Sequence, residues 1–159
     1  MAVDWRRWIG WAALLLFAGV MGAAAVVYQE RRRRLLAPIA AGAVVGGVPA
    51  LWVTAVCTML PGMAFLIGLG IACAVGAGLG TVGAWTARLR SAPCQRPALA
   101  FVGTLLGAIV GSVLCVLLGL AALRIEGDRL FVAALGAGMV GACATLGFQL
   151  GAGGPAPPA

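Results

Sequence analysis

The chain contains no histidine and no lysine, and only four of its 159 residues are acidic. Each absence removes a class of chemistry. Without histidine there is no imidazole-ligated haem or chlorophyll and no imidazole proton shuttle. Without lysine there is no Schiff base to a retinal or pyridoxal group. Asp4, Glu30, Glu126 and Asp128 all lie between or outside the long apolar stretches. No carboxylate is therefore placed at mid-bilayer depth to relay protons or cations, as rotary-ATPase proteolipids and small multidrug exporters require. The five cysteines show no C-x-x-C spacing and have no histidine to join them at a zinc ion. Cys57, Cys73, Cys115 and Cys143 sit inside apolar stretches, where cysteine acts as a small hydrophobe, and Cys94 alone is in a polar link. No base stands beside any of them in sequence to make a thiolate nucleophile. The expectation is a protein that is not an enzyme and carries no cofactor or metal.

What the chain has instead is apolar length. Five blocks, Trp8–Gln29, Leu35–Leu60, Met63–Ala87, Ala98–Leu123 and Leu130–Leu150, contain no Arg, Asp or Glu. Each reaches the roughly 20 apolar residues that cross a hydrocarbon layer about 30 Å thick as a helix. At 63% hydrophobic residues the chain exceeds the composition of ordinary soluble domains, and helices apolar on every side have no water-facing surface. The predicted fold class is an all-α integral membrane bundle of about five transmembrane helices. Residues 1–150 form its single domain, and the Gly-, Pro- and Ala-rich tail 151–159 is expected to be disordered. Pro49 is expected to kink the second block, because it lacks an N–H and crowds the preceding turn.

The net charge of +7 rests on eleven arginines gathered at block ends. They are not interleaved with aromatics as a nucleic-acid surface would be, so no nucleic-acid partner is expected. Lipid headgroups and membrane topology account for them. The link after the first block holds Arg31, Arg32, Arg33 and Arg34, and the link after the third holds Arg88, Arg90 and Arg96. Two links apart, they fall on one face, which the positive-inside rule makes cytoplasmic. The expected location is a plasma or inner membrane, with the N-terminus outside and the C-terminus inside. Trp5-Arg6-Arg7-Trp8 before an apolar run resembles a signal peptide. Cleavage after Ala23-Ala24-Ala25 would put the four-arginine link outside, so an uncleaved first helix is the better reading. Trp5, Trp8, Trp11 and Tyr28 suit headgroup depth as interfacial anchors.

Glycine is the second strong signal, with 25 residues. Gly42 and Gly46 with Ala50, Gly68 with Ala72, Gly76, Gly80 and Ala84, and Gly103, Gly107 and Gly111 each repeat at i, i+4. Such a row shares one helix face and leaves a flat groove where two backbones approach closely. These glycines and Gly141 are the candidate packing positions. Blocks three and four carry the longest rows and are expected to meet along them, within one chain or between two copies. One offset carries Gly42 onto Gly103, Gly46 onto Gly107 and Gly80 onto Gly141, so a tandem pair of hairpins is a further reading. Hydroxyls such as Thr54, Thr81, Thr104, Ser112 and Thr145 can return to their own helix or bridge to another.

Three glycine motifs in the last three blocks, across residues 76–149, resemble those of the fluoride-channel family in order and approximate spacing. They are Ala77–Trp85, Gly103-Thr104-Leu105-Leu106-Gly107-Ala108-Ile109-Val110-Gly111-Ser112, and Ala137-Gly138-Met139-Val140-Gly141-Ala142 with Thr145. This chain departs at the family's working positions. Ala108 stands for the pore Asn, Ala84 for the Arg, and Met139, Leu146 and Gln149 for the phenylalanines. The resemblance implies a shared mode of glycine packing and does not carry fluoride conduction over. The residues point to a non-enzymatic multi-pass protein acting through helix packing, as a homo-oligomer or as an accessory subunit of a membrane complex. A small pore for anions or neutral solutes and a holin-like lesion former are the alternatives.

Overall fold

The computed structural model describes residues 32–91, 94–124 and 129–153. They fold into α1 (Arg32–Gly42), α2 (Val48–Cys57), α3 (Met63–Ser91), α4 (Pro97–Ala122) and α5 (Arg129–Ala152). A π-helical stretch, Ala43–Gly47, joins α1 to α2 without interruption. Four spans are long and apolar enough to cross a membrane: Leu35–Cys57, Met63–Arg90, Pro97–Ala122 and Arg129–Ala152. The block Trp8–Gln29, expected as a further crossing, lies outside the described residues. This all-helical arrangement fits an integral membrane protein.

The spans follow the apolar blocks, with shifts at their ends that have local causes. Proline at the first helical position opens α4 one residue early, at Pro97, where the missing N–H costs nothing. The polar Arg88 and Arg90 extend α3 past Ala87, because basic side chains suit a helix C-terminus. The last helix runs through Ala152 and stops at Gly153, whose φ of 78 supplies the left-handed turn that ends many helices. Disorder expected from residue 151 onward is therefore wrong for Gly151 and Ala152, which are helical.

The bend expected at Pro49 takes another form. Pro49 has no N–H to offer the carbonyl of Val45, and the preceding turn widens so that Val48 N–H bonds back to Ala43 O, five residues earlier. The irregularity thus falls one turn before the proline, on Gly46 and Gly47, whose backbone lies against Gly80 of α3 and Ala137 of α5. Pro38 also lies inside a helix, buried in α1.

The four spans alternate in direction. One end of the bundle gathers the first turn of α1, the end of α3, the start of α4 and the end of α5. The opposite end holds the turn at Pro61–Gly62 and the link from α4 to α5. Gly62 has φ 59 and open space where a Cβ would stand. Gly62→Ala should therefore cost only the left-handed backbone penalty, about 1–2 kcal/mol, and lower the thermal midpoint in detergent slightly.

Side-chain size is distributed with small residues inside and large ones outside. Ala50, Ala84, Ala108, Cys115, Ala144 and Val140 fill the interior. Trp52, Leu66, Ile67, Ile71, Val82, Leu106 and Val110 are exposed. Hydrocarbon tails are as apolar as leucine, so nothing drives large aliphatic side chains inward, and helices gain more by bringing backbones together.

Candidate functional site

The structure places all eight candidate packing glycines in contacts between helices. On α4, a Cβ at Gly103 would strike the carbonyl of Gly147, and one at Gly107 the carbonyl of Cys143. At Gly111 it would lie 2.7 Å from Met139 O and 2.8 Å from Val140 Cα. Gly147 and Gly151 on α5 return the contact against Gly103 and Leu99. This row therefore seats α5. Its expected partner, the row on α3, is engaged elsewhere. Gly76 and Gly80 of α3 meet Gly46 and Ala50 of the first span, together with Ser112 of α4 and Val140 of α5, whereas Gly103, Gly107 and Gly111 of α4 face α5.

That second seam runs along the broken first span. A Cβ at Gly46 would lie 2.5 Å from Gly80 Cα and 2.8 Å from Gly76 O. At Gly42 it would lie 2.6 Å from Gly141 Cα and 3.5 Å from Ala84 Cβ. At Gly76 it would meet Ser112 Oγ at 2.7 Å and Ala50 Cβ at 3.0 Å, and at Gly80 it would meet Val140. Gly68 is closed off by Cys57. A true repeat in the offset would set Gly107 against Gly141, as Gly46 is set against Gly80. Instead Gly107 lies on Cys143 and Gly141 on Ile39 and Ala43.

The buried hydroxyls turn back on their own helices. Thr54 donates to Ala50 O at 2.7 Å, Thr104 to Ala100 O at 2.7 Å, Ser112 to Ala108 O at 2.6 Å and Thr145 to Gly141 O at 2.7 Å. Thr81 does the same to Ala77 O. A contact between helices comes from Cys115, whose Sγ donates to Gly47 O at 3.8 Å at the end of the π turn. All five cysteines are free thiols.

Two features stand apart from these seams. The first is a second row on α3, Gly70, Ala74 and Gly78, two residues out of step with the packed one. Gly70 and Gly78 have nothing within 4 Å of a Cβ position, and Ala74 is exposed. At 3.6 residues per turn, Gly78 points about 160° away from Gly80, on the far side from α1. Ile67 and Ile71 stand beside the row as large exposed side chains, and Val82, four residues after Gly78, ends it. In the sequence it is interleaved with the longer row, which has the same i, i+4 spacing, and does not stand out from it.

The second feature is at the arginine-rich end. Arg88 was expected among the headgroup arginines, yet it is only 8% exposed. Its guanidinium carbon lies 5.5 Å from the centre of the Phe148 ring, within cation–π range. Trp85 stands edge-on to Phe101, with centroids 5.4 Å apart at 88°, and tilted against Phe148 at 5.4 Å and 59°. These four side chains clasp the ends of α3, α4 and α5. Arg90 and Arg96 are exposed, as headgroup contacts would be. Arg32–Arg34 form the first turn of α1, and Arg31 lies outside the described residues. Gln149, expected at the interface, is half-buried, and its Nε2 has no hydrogen-bond partner.

Among the described residues there is no carboxylate side chain, and no group of three or more His, Cys, Asp or Glu that could hold a metal ion. What the arrangement offers is surface: closed glycine seams within, an open small-residue row on α3, and arginines at one end. Comparison with family models, with curated proteins and with solved structures finds no match to this chain.

Proposed function

We propose that this is a non-enzymatic multi-pass membrane protein that works by helix association, as a homo-oligomer or as an accessory subunit of a membrane complex. The observation that carries the reading is the open row Gly70–Ala74–Gly78 beside seams whose glycines are already engaged within the protomer. An open small-residue row in hydrocarbon gains packing energy when a second helix covers it. Two copies inserted in the same direction present identical rows at the same depth, so a two-fold contact needs no adjustment of register. The arginine-rich end faces the cytoplasm of a plasma or inner membrane in this reading, which puts the N-terminus outside and the C-terminus inside.

Cysteine placed at Ala74 should cross-link under mild oxidation in native membranes, either to itself or to a partner that co-purifies. Gly78→Leu should reduce that product about tenfold, equivalent to about 1.4 kcal/mol, while leaving the thermal midpoint unchanged. A strictly monomeric species in mild detergent, with no cross-linked product, would sink the reading.

The fluoride-channel-like alternative, a pore for anions or neutral solutes, finds less support along the centre of the protomer. The glycines there rest on neighbouring backbone, and the buried hydroxyls are committed to their own helices. Flux of fluoride, chloride and glycerol into proteoliposomes should not exceed that into empty vesicles.

A further inference from the structure

At the end of the bundle away from Arg88, α2, α4 and α5 diverge and leave a half-open groove of about 360 Å³. Val48, Leu51 and Trp52 form one wall, Leu130 and Ala133 the other, and Gly119 lines the groove between them. The lining is apolar almost throughout. Thr54 reaches it, but its hydroxyl is already bonded to Ala50 O. Arg129, the charged residue on the lining, stands at the first residue of α5, where that helix begins. Along α2 the groove runs from Val48 to Ala55. Seven helical rises make that about 10 Å, most of one leaflet's depth.

We infer that this groove seats one acyl chain of a membrane phospholipid. Its shape argues for that occupant. Its lining on α2 runs from Val48, next to the π-helical turn, toward the end of the bundle where Arg129 begins α5, so it extends along the helices as a lipid tail does. Its volume is at the small end of ligand cavities, which span about 300–1,000 Å³. No free polar group on the walls would select a polar guest, whereas the cation at the mouth matches the depth and sign of lipid phosphates. Trp52, 70% exposed, lies along the lip as an apolar plate for the tail. The inference rests on the membrane reading and is independent of association through α3.

The test uses the full chain, reconstituted in vesicles of phosphatidylcholine and phosphatidylglycerol, re-extracted in mild detergent and weighed by native mass spectrometry. The intact protein should retain one phospholipid. Ala55→Phe fills the groove from α2 and should reduce retention about tenfold. Ala133→Leu does so from α5, and both variants should keep the parent thermal midpoint. Ala74→Leu, on α3, should retain lipid like the parent, whatever it does to association. Equal retention in the groove-filled variants, or none in the parent, overturns the inference. So does a disulfide from a cysteine at Ala55 to residues 8–29 or to a second copy, because a helix would then cover the groove. A chain that stays in solution without detergent removes the membrane reading itself.

Discussion

Gly107→Leu should unseat α4 from α5 and leave no folded bundle at temperatures where the parent is stable. The first atom that the new side chain meets is the carbonyl oxygen of Cys143, with Ala144 Cα close behind at 3.1 Å. Neither can rotate away, because both belong to the α5 backbone. Overpacking against mobile side chains costs about 1–3 kcal/mol, and here the whole helix must shift, so at least the upper figure is expected. The damage extends past one residue: Gly103, Gly111 and Gly147 depend on the same closeness of axes. Thermal unfolding in detergent, followed by circular dichroism or by protease sensitivity, measures it. Gly78→Leu is the matched control, since its position is open, and it should melt with the parent. Equal behaviour of the two variants would mean that the α4–α5 seam does not hold the fold.

Phe148→Ala should give the second large loss, and it acts by subtraction. Phe148 is among the largest fully buried side chains, and it touches both Trp85 and Arg88. Soluble-core truncations of this kind cost about 3–5 kcal/mol, part of it transfer from water, which is weaker where the alternative solvent is lipid, so about 2 kcal/mol is expected here. The cation–π contact goes with the ring, and Arg88 must rebuild its surroundings at a buried position. The near-ultraviolet dichroism of Trp85 should weaken together with the thermal midpoint. Phe148→Tyr keeps the ring face and should restore most of both signals. If alanine and tyrosine behave alike, the clasp at the arginine-rich end contributes nothing to stability.

Particular residues mark the limit of what could be read in advance. The apolar blocks located four spans to within a few residues, because hydrocarbon tolerates no charge and each block ends where charge or a turn begins. The i, i+4 spacing of Gly42, Gly46, Gly76, Gly80, Gly103, Gly107 and Gly111 was visible in the sequence, and at each of them, as at Gly141, the structure leaves no room for a Cβ. Their partners were not visible there. Every row repeats at i, i+4, so any two rows are geometrically compatible, and sequence spacing gives no preference among pairings. The expectation that blocks three and four meet along their glycines failed for that reason. The row Gly70–Ala74–Gly78 was hidden in the same way, since two interleaved rows on one helix look like a single glycine-rich stretch. Arg88 looked like its exposed neighbour Arg90, two residues on, and rotation about the helix axis separated them, turning one toward Phe148 and the other outward.

By itself, then, the amino-acid order determined the helical class and the limits of the four apolar spans, because both follow from local composition against a slab of fixed thickness. Only the tertiary structure decided which glycine row meets which, that the turn before Pro49 widens to let Gly46 and Gly47 into the crossing, and which row is left open. Those outcomes depend on how four helices share a few contact faces at once, a competition between distant segments that no single stretch of sequence records.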